Sequence, residues 1–245
     1  MSKMEYIFEG CCTSPVQVLQ ARAAGAVRVE LCSRLEVGGV TPSEELIKAS
    51  LTAVSAPKNA LTKMLPNQTL LLNSLSDNDY GINLNVLIRP RGGDFVYSEN
   101  EVLQMENDIE LCKNIRVEDG RGGCSRVNGV VIGALLPDGR IDLPVMRRLV
   151  AAARPLEVTF HRAFDECADV SEGLEDVISL GCERLLTSGH EADAYAGRFT
   201  LGKLVEQAAG RIIILAGCGV RPHNIKEISE ASGAPEFHSS TLTGW

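Results

Sequence analysis

Short apolar runs recur along the chain, each followed by a polar loop and then by a stretch whose apolar residues return every three or four positions. The runs are YIFEGCC, VRVELC, INLNVLIRP, NGVVIGALL, LEVTFHRAF, ERLLTSG, RIIILAG and PEFHSS. Their length and composition read as β-strands, and the amphipathic stretches between them as helices. Helix starts are marked by local chemistry. Ser14-Pro15-Val16-Gln17 and Thr41-Pro42-Ser43-Glu44 each offer an N-cap hydroxyl, proline at the first helical position and Gln or Glu three residues after the cap, which together satisfy free N–H groups of a first turn. Ser98-Glu99-Asn100-Glu101 is a third capping box, without the proline.

Alternating strand and helix units of about 30 residues imply parallel strands joined by right-handed crossovers. Eight such strands predict an α/β protein of the closed TIM (β/α)8 type, with an open doubly wound sheet as the alternative. The length of 245 residues and the 44% hydrophobic content suit one barrel domain spanning 1–245. Two stretches break the rhythm, 57–81 and 118–128, the second containing GRGGC. Both fall in helix-to-strand connections, which a barrel places on the face opposite its active site, so they are expected to be excursions without a catalytic role.

Charge and cysteine usage narrow the function classes. With 24 Lys+Arg against 32 Asp+Glu the formal charge is −8, which predicts no general attraction to nucleic acid or anionic lipid. The N-terminus MSKMEYIFEG lacks an apolar signal-peptide run and no segment approaches the roughly 18 apolar residues of a membrane span, so the expected location is cytoplasmic. The eight cysteines are expected to be reduced thiols, and without zinc-type spacing they do not predict a structural zinc site.

The period of two along each strand then sorts side chains by face. Phe8 and Gly10 oppose Glu9 and Cys11, Val29 and Leu31 oppose Glu30 and Cys32, Val86 and Ile88 oppose Asn85, Leu87 and Arg89, Val158 and Phe160 oppose Thr159 and His161, and Phe237 opposes His238. With the apolar set under the helices, Glu9, Glu30, Arg89, His161 and His238 point into one barrel. Isolated buried charges cost several kcal/mol each, so their convergence predicts a site at the barrel mouth. Arg162 and Asp165, which follow His161 in EVTFHRAFD, join it as candidate catalytic residues, against the reading of a plain capping cluster.

Three loops above the mouth are candidates for substrate binding. Arg91-Gly92-Gly93-Asp94 could clamp a carboxylate or phosphate, or be a tight turn whose Arg91 and Asp94 pair with each other. Gly217-Cys218-Gly219 stands where many barrels bind phosphate on exposed N–H groups, and Ser188-Gly189 could add donors or simply turn the chain. As an enzyme, the protein would use Glu9 or Glu30 as general base and His161 as acid or electrophile, with Arg89 and Arg91 holding a small anionic metabolite in lyase or isomerase chemistry.

The segments FEGCC, RVELCSRLEVGGVTPS, IRPRGGDFVYS, VTFHRAFD, RLLTSG, AGCGV and EFHSS, in this order, resemble the CutC copper-homeostasis family. The resemblance implies a TIM barrel, a cytosolic location and copper handling, with copper as Cu(I) held through cysteine. Cys11 and Cys32, near the ends of neighbouring strands and on the glutamate-bearing face, are the candidate metal ligands, since two thiolates suit a soft, low-coordinate ion. The opposed reading is that both simply fill space; Cys218 would be a third ligand only in a narrow mouth. The functional expectation is copper homeostasis, with the enzyme as alternative and a non-catalytic scaffold ranked last. Against the family pattern, the two excursions are extra and the chain stops at Trp245 soon after its last strand. That predicts an incomplete or missing final helix, an exposed apolar strip over Phe8 and Phe237, and a homo-oligomer with Trp245 shielded on association.

Overall fold

The computed structural model of the chain describes residues 6–64, 75, 81–120 and 122–242. Its strands are β1 (Ile7–Cys12), β2 (Arg28–Leu31), β3 (Asn83–Leu87), β4 (Val117–Glu118), β5 (Cys124–Ser125), β6 (Gly129–Ile132), β7 (Glu157–Phe160), β8 (Arg184–Thr187), β9 (Ile213–Ala216) and β10 (Glu236–Ser239). The helices are α1 (Pro15–Ala23), α2 (Glu44–Ser55), α3 (Lys58–Met64), α4 (Glu99–Asn114), α5 (Leu143–Ala153), α6 (Val170–Ser179), α7 (Arg198–Ala208) and α8 (Ile225–Ser232). Every strand except β4 and β5 pairs in parallel, in the order β1-β2-β3-β6-β7-β8-β9-β10, and the ladder from Ile7 opposite Glu236 to Gly10 opposite Ser239 closes the ring. The fold is therefore a TIM (β/α)8 barrel, and the ladder between β1 and β10 excludes an open sheet. No helix among the described residues is long and apolar enough to cross a membrane.

The caps explain where helices begin. Ser14 Oγ accepts from Gln17 N at 3.3 Å, and Ser98 and Glu101 satisfy each other's backbone N–H groups before α4. The second start differs from the sequence expectation. Ser43 caps α2 through Leu46 N, while the Thr41 hydroxyl accepts from Arg89 N at 2.9 Å. Thr41 also donates its own N–H to Arg89 O, so it ties the loop after β2 to the end of β3 and is unavailable as a cap.

The outward faces of the strands form the core beneath the helices. Phe8, Val29, Leu31, Val86, Ile88, Val158, Phe160 and Phe237 are all buried, each contributing roughly 1.5–3 kcal/mol of transfer free energy. The expected apolar strip over Phe8 and Phe237 is absent at both residues, which are 0% and 1% exposed. Tyr6 stands edge-on to Phe237 with ring centroids 5.6 Å apart, and Leu242, itself buried, folds back close to Gly10. These residues cover the seam although no helix follows β10 among the described residues, and the exposed strip no longer supports the expectation of a homo-oligomer. Trp245 lies outside the described residues.

Of the two excursions, 118–128 holds most of a small antiparallel ribbon of β4 and β5 that touches α2. The other contains α3, and most of the rest of 57–81 lies outside the described residues.

Candidate functional site

A cavity of about 680 Å³ opens at the C-terminal ends of the strands. Of the residues predicted for the site, Cys11, Glu30, Arg89, His161, Arg162, Asp165, His238 and Gly219 line it. Glu9, Cys32, Arg91, Asp94, Ser188, Gly189 and Gly217 do not. The wall has two chemically distinct regions, one on β10, β1 and β2 and the other at the ends of β3, β6 and β7.

The first region rests on a buried chain of charges. Arg28 bridges Glu9 and, at 2.6 Å, Glu236, which Arg184 also meets at 3.0 Å before reaching Glu157 at 2.6 Å. Glu9, Arg28, Glu236 and Arg184 fill the barrel interior where aliphatic side chains would normally sit, while Glu157 reaches the surface. Burial alone would raise the Glu9 carboxyl, but the Arg28 charge and the bond from His238 hold it down at about 2. Glu9 is thus a fixed anion beneath the cavity. Its Oε1 takes His238 Nδ1 at 2.7 Å, so it orients His238 and does not sit at the mouth as a general base.

Glu30 is the opposite case. Its Oε2 is buried without a hydrogen-bond partner and lies 3.9 Å from His238 Nδ1. Burial, reinforced by the nearby Glu9 charge, pushes this carboxyl up to about 7. Burial would lower His238, yet the Glu9 bond and the Glu30 charge outweigh it and raise the imidazole above its ordinary value. Potential ligand atoms of Cys11, Glu30 and His238 lie within 4.8 Å of one another.

Cys11 and Cys32 pack together with Leu87 and Val131 in the barrel interior. The contact with Cys32, then burial and the Glu30 charge, raises the Cys11 thiol well above its usual value. A metal there must displace the proton, which makes binding pH-dependent. The two touching thiols form a soft pair that fits Cu(I), whereas the ligand atoms that group around His238 are those of Cys11 and Glu30, without Cys32, and the Glu30 carboxylate suits harder ions. The Glu9 to His238 bond gives the imidazole the carboxylate partner that metal-bound histidines usually have. Cys218 also lines the cavity, but it stands apart from this group, its sulfur 3.3 Å from Ala192 O.

The second region is built from donors. Arg89 is 5% exposed, and its terminal nitrogens donate to Val37 O, Gly39 O and Gly93 O at 3.1, 3.1 and 2.5 Å. His161 Nδ1 accepts from Ala163 N at 3.1 Å. Burial, then the Arg89 charge, brings its pKa down to about 3, so the ring is neutral. With Nδ1 used as an acceptor, the proton resides on Nε2. Gly133 makes this placement possible, because a Cβ there would sit 2.5 Å from His161 Nδ1.

Several predicted roles change for identifiable reasons. Asp165 accepts from Thr187 Oγ1 at 2.5 Å, from Ser188 N at 3.0 Å and from His190 N at 3.3 Å, and it pairs with Arg162 at 2.8 Å. It anchors the loop after β8 and has little capacity left for catalysis. That anchoring uses the Ser188 N–H, while the Gly189 N–H donates to Thr187 Oγ1, so neither is an open substrate donor. Arg91 is occupied by Asp94 at 2.9 Å and Glu101 at 2.6 Å, the self-paired turn weighed against an anion clamp. Gly217 donates its N–H to Thr187 O, and a Cβ there would lie 2.4 Å from Leu186 Cδ1, so it is a packing requirement.

The reading of the sequence missed Arg28, Glu236 and Arg184. The same alternation, carried one step toward the strand starts, would have put Arg28 with Glu30 and Glu236 with His238. It also missed Phe95, a loop residue whose place on the cavity wall no strand period signals.

Comparisons with known proteins agree with this architecture. The sequence model of the CutC family matches residues 6–64 and 59–243. A relative from Parabacteroides distasonis, called a family protein CutC, is 46% identical over 237 residues, covering 97% of this chain and 83% of its own. One of the same description from Bacteroides thetaiotaomicron is 43% identical over 236 residues, covering 96% and 81%. Among solved structures, CutC from Streptococcus agalactiae, proposed to act in copper homeostasis, superposes with a TM-score of 0.75 at 29% identity, over 97% of this chain and 100% of that one. A proposed deoxyribose-phosphate aldolase from Coccidioides immitis reaches 0.58 at 10% identity over 96% and 81% and shares the fold alone.

Proposed function

The chain belongs to the CutC family, and on that premise we propose that it acts in copper homeostasis by binding Cu(I) through Cys11 and Cys32. The observation that carries the reading is the contact of two thiols from neighbouring strands, one of which, that of Cys11, lies beside an imidazole. Cys11 and Cys32 are in contact, and a donor atom of His238 lies within 4.8 Å of the Cys11 sulfur. Two thiolates satisfy a low-coordinate soft ion, and the imidazole can complete a third position. Copper is cargo in this reading.

The test is a competition between reduced protein and a chromogenic Cu(I) chelator. About one Cu(I) per chain is expected, and Cys11→Ser and Cys32→Ser should each weaken binding by at least tenfold. A double variant that binds as tightly as the parent would overturn the assignment of ligands. A parent that binds Zn2+ but not Cu(I) would overturn the copper reading itself.

A further inference from the structure

The region on β3, β6 and β7 has no part in the copper reading and carries an unmet chemical demand. Arg89 is a buried cation whose three hydrogen bonds all go to backbone carbonyls. Its Nε–H has no acceptor, and neither does His161 Nε2. The buried Tyr97 hydroxyl lies close enough to the guanidinium for the two to interact, but it is outside hydrogen-bond geometry and has no other partner. Buried N–H groups left without acceptors cost about 1–3 kcal/mol each, more when charged, and native structures rarely leave them so.

Both residues pack against one ring. The Arg89 Cζ stands 4.6 Å from the Phe95 ring centroid, and the His161 ring centroid lies 5.0 Å from the same ring. Gly133, just past the end of β6, the strand between β3 and β7, leaves the space over which the imidazole lies. All three side chains line the cavity.

We propose that Arg89 and His161 form a subsite for the carboxylate of a small organic acid, with Phe95 as the flat wall beside it. The charge balance selects this class. The guanidinium's single positive charge balances that of a carboxylate, whose two oxygens can take N–H groups that Arg89 (Nε and one on Nη2) and His161 (Nε2) leave without acceptors. A phosphate carries more than one negative charge near neutral pH, and the excess would stay uncompensated in this buried region. His161 cannot add charge, because its Nδ1 is held as an acceptor by Ala163 N.

The experiment uses metal-free, reduced protein, so its outcome is independent of copper binding. Pyruvate, malonate and inorganic phosphate are titrated into it by calorimetry. At least one carboxylate should bind, at least tenfold more tightly than phosphate. His161→Phe, which keeps a ring and removes the donor, should weaken carboxylate binding about ten- to a hundredfold, and His161→Gln should recover part of it. A measurement on the unmodified protein covers the case in which His161→Phe fails to fold. Long-range 1H–15N spectra should show the neutral Nε2–H tautomer of His161, with its Nε2 resonance moving on carboxylate saturation. The proposal is overturned if no carboxylate binds, if phosphate binds equally well, if a folded His161→Phe protein binds like the parent, or if the Nε2 resonance stays fixed at saturation.

Discussion

Replacing one oxygen at two neighbouring carboxyls should move stability in opposite directions. Glu9 is held at about 2 against an ordinary 4.5, whereas Glu30 is raised from 4.5 to about 7. Each difference corresponds to about 3 kcal/mol. For Glu9, the folded state favours the anion, so its contribution is present above about 4.5 and is lost as the pH falls toward about 2. For Glu30, the folded state favours the neutral acid, so stability is lost as the pH rises from about 4.5 through about 7.

Glu9→Gln removes the anion and leaves Arg28 with Glu236 alone, a loss of about 3–5 kcal/mol for a broken buried pair. That loss should be nearly equal at pH 5 and pH 8. Glu30→Gln imitates the protonated acid and should stabilise by about 3 kcal/mol at pH 8 but by less than about 1 kcal/mol at pH 5. Urea unfolding of the three proteins at both pH values, followed by circular dichroism, reads both effects. A Glu30→Gln gain independent of pH, or a Glu9→Gln protein within about 1 kcal/mol of the parent, would refute the division of the pair into a fixed anion and a neutral acid.

Two other substitutions probe the frame of the site. Gly133→Ala places a methyl 2.5 Å from His161 Nδ1 and should cost about 1–3 kcal/mol of overpacking in thermal unfolding, abolishing carboxylate binding as the imidazole is displaced. Asp165→Ala leaves the N–H groups of Ser188 and His190 without their acceptor, so hydrogen exchange at those two amides should accelerate while that of β6 and β7 stays unchanged; equal protection in both proteins would show that Asp165 is not the anchor.

What the sequence reveals follows from periodicity. Strand alternation is a local property, so it exposes all eight barrel strands and the inward set of Glu9, Glu30, Arg89, His161 and His238. Depth along the barrel axis and pairing across the ring are non-local. Glu9 and His238 are separated by 229 residues in sequence and meet only because β10 closes on β1, which is why Glu9 read as a mouth residue when it is a buried support. Loop chemistry is ambiguous for a different reason: Arg91 and Asp165 are charged groups whose partners lie nearby in the fold, and only coordinates show whether those partners or a ligand take their bonds.

The two regions of the cavity differ in how their charge is balanced. Glu9, Arg28, Glu236 and Arg184 form a continuous alternation of sign beneath His238, so the imidazole is presented by a support whose charges are largely compensated within the protein. Arg89 has no such partner, since all of its hydrogen bonds end on neutral carbonyls. A buried cation left without a carboxylate is costly, and the protein makes an Asp94 carboxylate available only a few residues away, yet Arg91 takes it. The positive charge at the cavity wall is therefore retained by the fold itself: the neighbouring arginine occupies the local acid, and the carbonyls of two loops hold the Arg89 guanidinium in place with two N–H donors to spare.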